Sequence, residues 1–152
     1  MQKIVRTALA AAALATASLA QAQEVTLKFH HIWNPQAMAS VNVIAPWCDK
    51  IAKESANKLK CQVFPAMSMG GTPQQLVDQV KDGVADVVIT LPGYTAGRFT
   101  ALEVFELPFM TNSAEVGARA AWDYLQKYAL KEFPGTKILA IWVHDEGYVH
   151  TR

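Results

Sequence analysis

The chain has 152 residues, 51% of them hydrophobic and 18% charged, with a formal net charge of +1. That length suits one domain with its own core, and the composition is globular rather than disordered. The near-neutral charge argues against nucleic acid or an anionic membrane surface as the main partner.

The first segment reads as an export signal. Lys3 and Arg6 precede an uncharged Ala/Leu-rich run from Thr7 to Leu19, and Ala20-Gln21-Ala22 supplies the small residues of a cleavage site. Residues 1–22 are expected to be removed, leaving Gln23 first and the net charge slightly negative. The apolar run is too short to span a bilayer.

Val25 to His30 alternates as a first strand, followed by a short loop, HIWNPQ. A helix is expected from about Ala37 to Ser55. Ile44, Cys48, Ile51 and Ser55 are spaced as one inward stripe, and Val41 and Trp47 lie at its margins. Pro46 inside this span should kink or divide it. Leu59, Cys61 and Val63 alternate with polar neighbours as a second strand that Pro65 stops. Gly70-Gly71 permit a sharp turn, and Thr72 and Pro73 suit the start of a helix running to about Asp82. Its buried face is Leu76, Val77 and Val80, and Gly83 closes it. Ala85 to Leu91 is an almost uniformly apolar third strand, expected to be buried on both faces. After a turn-rich excursion, a helix is expected from Ser113 to about Phe133, opened by Asn112 with Glu115 and ended by Pro134-Gly135. Lys137 to Val143 completes the pattern as a fourth strand.

Strands alternating with helices predict an α/β fold with a mainly parallel sheet flanked by helices and right-handed crossovers. With strand order 2-1-3, the first and third strands are neighbours and a crevice opens past their carboxyl ends. His31, Trp33 and Asn34 fall on one side of it, and Leu91, Pro92, Gly93 and Tyr94 on the other. A fourth strand entering the sheet would bring Asp145, Gly147 and Tyr148 to the same rim. Aromatic walls with a few polar groups suit a small-molecule site.

Cys48 faces inward from the first helix, and Cys61 shares a face with Leu59 and Val63. Each lies about 10 Å along its element from the turn between them, so the two stand at one level. They are either a disulfide or two buried thiols. No metal site is expected: adjacent His30 and His31 point to opposite faces, and His144 and His150 lack zinc-site spacing. Asp145 and Glu146 read as a solvated turn rather than an acid/base pair. Gly70-Gly71 lack the Gly-Lys-Ser/Thr of a phosphate loop, so no cofactor is implied. Arg98 is a loop cation within reach of Glu103 or of solvent. No Gly-x-Ser-x-Gly or comparable nucleophile motif supports a hydrolase.

Several pieces of the sequence together resemble the periplasmic solute-binding proteins of TRAP (tripartite, ATP-independent) transporters, often labelled dicarboxylate-binding. They are Val63-Phe64-Pro65, Met69-Gly70-Gly71, Gln75-Leu76, Val80-Lys81-Asp82-Gly83, Ala85-Asp86 and Phe105-Glu106-Leu107-Pro108-Phe109. The resemblance runs from about Val25 to Thr151. It implies a non-catalytic periplasmic protein whose two α/β lobes close on a small organic carboxylate and deliver it to membrane permease subunits. Residues 23–152 would be the N-terminal lobe, with the second lobe missing. Sugar-acid-binding relatives have a glutamate where this chain has Leu91 and an arginine where it has Tyr148. Both departures favour a carboxylate with an apolar or aromatic body. The family's carboxylate-clamping arginine, in a Gly-x-Lys-x-Arg strand, falls beyond Arg152. A ligand-sensing module is the alternative within the binding class.

Overall fold

The computed structural model describes residues 24–111 and 113–144. Three parallel strands lie in the order β2-β1-β3. They are β1 (Val25–His30), β2 (Leu59–Phe64) and β3 (Val87–Val88). β1 pairs with β2 along its whole length, from Val25 opposite Leu59 to His30 opposite Phe64. On its other side only Phe29 and His30 meet Val87 and Val88.

The expected third strand, Ala85–Leu91, is therefore shorter than its apolar run, and from Val87 to Thr90 it is half-buried rather than buried on both faces. The local cause is visible at Asp86. Its amide donates to Lys28 O, while its carboxylate Oδ2 accepts the Lys28 amide at 2.7 Å, so a side chain stands in for the next ladder bond. Among the described residues no strand lies against the outer edge of β3. The expected fourth strand, Lys137 to Val143, joins no ladder among the described residues; Ile138 and Ile141 instead pack on the core through their side chains.

Helix α1 (Ala45–Glu54) is entered through one π-helical turn, Ser40–Ile44, in which the Ala45 amide bonds Ser40 O. Pro46 has no amide to continue the narrower α pattern backward, so the expected kink or division takes the form of a change from π to α hydrogen bonding next to this proline rather than a break. The backbone stays helical through Ala39, Ile44 and Ala45, so the run continues past Pro46 with the wider π turn before it. Cys48 and Cys61 are joined as a disulfide, Cα to Cα 5.6 Å, tying α1 to β2.

Helix α2 (Leu76–Lys81) follows a 3-10 turn, Pro73–Gln75. Gly70 and Gly71 both take φ of +86° in the turn before it, a conformation side chains resist. The Thr72 amide donates to Gln75 Oε1 at 2.8 Å, a reciprocal cap. Leu76 and Val77 face inward. Helix α3 (Ala114–Tyr124) continues through a π turn, Leu125–Ala129, and a 3-10 turn, Leu130–Glu132. Its cap is Ser113, whose Oγ accepts the Val116 amide; Asn112, the expected cap, lies outside the described residues. Val77, Phe99, Leu102, Leu125 and Ala129 form the main buried cluster, closed by Phe99 stacked on Phe133 at 4.5 Å. Among the described residues no helix is long and apolar enough to cross a membrane.

Candidate functional site

The carboxyl end of β1 is pinned by backbone bonds. The His31 amide donates to Phe64 O, Met67 N donates to His31 O, and Ala66 N donates to Trp33 O at 2.8 Å, strapping the turn after β2 across this end. The two histidines have opposite circumstances, although both are fully buried. His30 Nδ1 lies 2.6 Å from Gln79 Oε1, and its Nε2 accepts the Met69 amide at 3.4 Å. His31, on the other face with Phe29, has no hydrogen-bond partner on either ring nitrogen. Its ring lies 6.1 Å from that of Phe29 and 5.9 Å from that of Trp33. Burial, and then the neighbouring His30, hold its pKa below the ordinary value, against a weaker upward pull from the Trp33 main chain.

Asn34 is spent on its own turn. Its Oδ1 accepts the Gln36 amide, and its carbonyl accepts Ala37 N and Ser40 Oγ, which starts the approach to α1. Opposite, Pro92 begins a 3-10 turn, Pro92–Thr95. Gly93 N donates to Glu106 Oε1 at 2.7 Å and Gly97 N to Glu103 Oε1 at 2.6 Å, so two carboxylates hold the 92–106 excursion in shape. Any side chain on Gly93 would meet the Glu106 carboxylate. With Glu103 so engaged, Arg98 turns instead to Asp78 on α2, with a two-point pair at 2.7 and 3.1 Å. That hydrogen-bonded pair lowers the Asp78 pKa and raises that of Arg98.

Trp33, Leu91 and Pro92 come together in the lining of an apolar cavity of about 310 Å³. The cavity continues along the free edge of β3 towards residues 136–142. Phe29 and Trp47, in edge-to-face contact at 5.7 Å, form an inner wall that the sequence reading did not assign to the site. The signal for Phe29 was its parity with His31, two residues on along one strand face. Asp86 and Lys137 are the charged residues of the lining. His31, Asn34, Gly93 and Tyr94 lie off it, His31 directly behind the Phe29 and Trp33 rings. Tyr148, with Asp145 and Gly147, falls outside the described residues. No cluster of three or more His, Cys, Asp or Glu side chains able to hold a metal occurs among the described residues. The arrangement can enclose a flat apolar body; it presents no nucleophile beside a base.

Residues 29–151 match the family model described as bacterial extracellular solute-binding protein, family 7. A TRAP solute-binding protein from Rhodoferax ferrireducens T118, in complex with copurified benzoate, is 52% identical with a TM-score of 0.77 over 80% of this chain. A marine-metagenome TRAP solute-binding protein specific for aromatic acids, crystallised with 3-hydroxybenzoate, is 45% identical with a TM-score of 0.78 over 81% of this chain. The outer membrane transporter protein TsaT of Comamonas testosteroni is 32% identical over 143 residues, 93% of this chain. The chain spans 38% of the length of both structures and 41% of that of the Comamonas protein. The solved relatives are substrate-binding proteins of transporters, not enzymes. By its family match and the likeness of its lobe, the chain belongs to the bacterial extracellular solute-binding proteins of family 7.

Proposed function

We propose that residues 23–152 are one α/β lobe of a two-lobed periplasmic protein, exported by a cleaved signal at residues 1–22, that captures an aromatic carboxylate and hands it to a TRAP permease. One observation carries the ligand class. The cavity past the carboxyl ends of β1 and β3 is lined by Trp33, Leu91 and Pro92 together with Phe29 and Trp47, and offers a ring many contacts and a polyhydroxylated body few. The benzoate and 3-hydroxybenzoate of the two solved relatives support the same class. His31, Trp33, Asn34, Leu91, Pro92, Gly93, Tyr94 and Tyr148 are the proposed first half of the site, and five of them take distinct roles. Trp33, Leu91 and Pro92 touch the ligand, whereas Asn34 and Gly93 hold the loops that present them. Contacts from both lobes favour the closed state, so binding and closure are one event.

Calorimetry on the two-lobed protein tests the reading with benzoate, 3-hydroxybenzoate, succinate and galacturonate. Micromolar binding of an aromatic acid with weak or absent binding of the other two is expected. Tight succinate or galacturonate binding without aromatic binding overturns it.

A further inference from the structure

The lining of the cavity beside β3 is consecutive in sequence. Asp86 to Pro92 line it without a gap, and so do Thr136 to Trp142. Side chains alternate along an extended chain, so a cavity against one face of a strand meets every second residue. Consecutive residues are met where the cavity lies along the strand's edge, which carries the amides and carbonyls. Both edges here are open. The ladder of β3 with β1 ends at Val88, and residues 137–143 make no backbone hydrogen bond among the described residues. The two segments are nonetheless held in place. Ile138 and Ile141 pack on the cluster around Phe99 and Leu125, while β3 is fixed to β1.

Two unpaired backbone edges across one apolar gap define what fits between them. An extended chain satisfies the amides and carbonyls of both at once, at about 4.8 Å from each neighbour. We infer that this gap is a slot for a β-strand supplied by the part of the two-lobed protein outside residues 1–152. The sheet order becomes β2-β1-β3, then the incoming strand, then 137–143. This rests on the two-lobed reading. The supply of chain fits, since these residues span 38% of the length of the two solved relatives. A second copy is the poorer occupant, because its own β3 edge lies behind its own residues 136–142. The slot also selects composition. Val87 to Leu91 and Ile138 to Ile141 carry no charge, so the strand that enters is a run of about five apolar, β-branched residues without proline. It fills the cavity along β3 and confines the aromatic acid to the end at Trp33, Leu91 and Pro92.

The test is made on the two-lobed protein, deuterated and ¹⁵N-labelled, by NMR. Amides of residues 87–90 and of residues 138–142 are each expected to show cross-strand contacts to one and the same segment outside residues 1–152. Direct contacts between 87–90 and 138–142 overturn the inference, because the two edges then pair with each other. Contacts from only one of the two edges, or from neither, overturn it as well. A mixture of labelled and unlabelled protein identifies a second copy as the occupant if the contacts run between molecules, and that result also overturns it. Calorimetry with benzoate and succinate on the same sample keeps the two proposals apart. Benzoate binding without the strand contacts removes the slot and leaves the aromatic-carboxylate reading. Strand contacts with succinate binding alone do the reverse.

Discussion

Gln79 and His30 form a part-buried junction: the 2.6 Å contact from Gln79 Oε1 to His30 Nδ1 is matched at the other end of the amide, where Gln79 Nε2 donates to Gly70 O at 3.0 Å. One side chain on α2 thereby fixes the end of β1 and the glycine turn that precedes the helix. The amide carbonyl can only accept, so the His30 proton sits on Nδ1, which leaves Nε2 to accept the Met69 amide.

Gln79→Ala should therefore destabilise the fold by about 1–3 kcal/mol, because it leaves buried His30 with an unmet donor. Urea unfolding measures this. Gly71→Ala should also be harmful, since φ is +86° there and a Cβ would stand 2.7 Å from Gln79 Nε2. Gly70→Ala has open space at the same φ and should show only the backbone penalty, about 1 kcal/mol. Equal losses at the two glycines would refute the junction as the reason for the difference.

The disulfide between Cys48 and Cys61 closes a short loop, with a sequence separation of 13. Reduction should lower stability by about 3 kcal/mol through the freedom regained by the unfolded chain. Paired denaturation curves with and without reductant read the difference, and Cys48→Ala with Cys61→Ala should match the reduced protein.

Stability should also depend on pH through two groups in two windows. His31 has its pKa lowered on folding, so between that depressed value and about 6.5 the unfolded chain binds more protons. Its contribution is full above about 6.5 and is lost as pH falls through the folded value. His31→Phe should flatten this part of the profile. Asp78, lowered by Arg98, contributes above about 3.8 and loses its contribution below that value, and Asp78→Asn should remove that second decline. Melting temperatures from pH 3 to pH 8 separate the two.

Trp33→Ala should weaken benzoate binding by the two-lobed protein by about 1–3 kcal/mol without unfolding it. Tyr94→Ala should have a smaller effect, because Tyr94 lies off the cavity lining while Trp33 forms part of it. Calorimetry on both variants decides, and a loss confined to Tyr94→Ala would move the ligand to the 92–106 excursion.

The parts of the fold legible in the sequence were those written locally. Alternation gave β1 and β2, and Thr72-Pro73 and Gly83 bounded α2; the order β2-β1-β3, assumed from the simpler doubly wound sheets, is the one found. Ladder partners are not written locally. The run Ala85–Leu91 announces an apolar environment, but whether its amides find a neighbouring strand depends on what lies across the sheet edge, so β3 shrank to Val87–Val88. Arg98 went to Asp78, twenty residues away on a helix, because Glu103 was already taken by a backbone amide that no side-chain pattern reveals. At the site, chain topology led to Trp33, Leu91 and Pro92. The inner wall of Phe29 and Trp47 depends on how α1 lies on the sheet, which periodicity alone does not give.

The free edge of β3 also bears on how this lobe behaves in concentrated solution. Val87 and Val88, with Ile89 and Thr90 following them, form a short half-buried and uncharged run without proline or lysine, the features by which other proteins keep sheet edges from recruiting one another. Left uncovered, such an edge is a template for intermolecular strand growth, so aggregation during purification should nucleate here rather than at the charged face of α3, and a single lysine at Ile89 should suppress it.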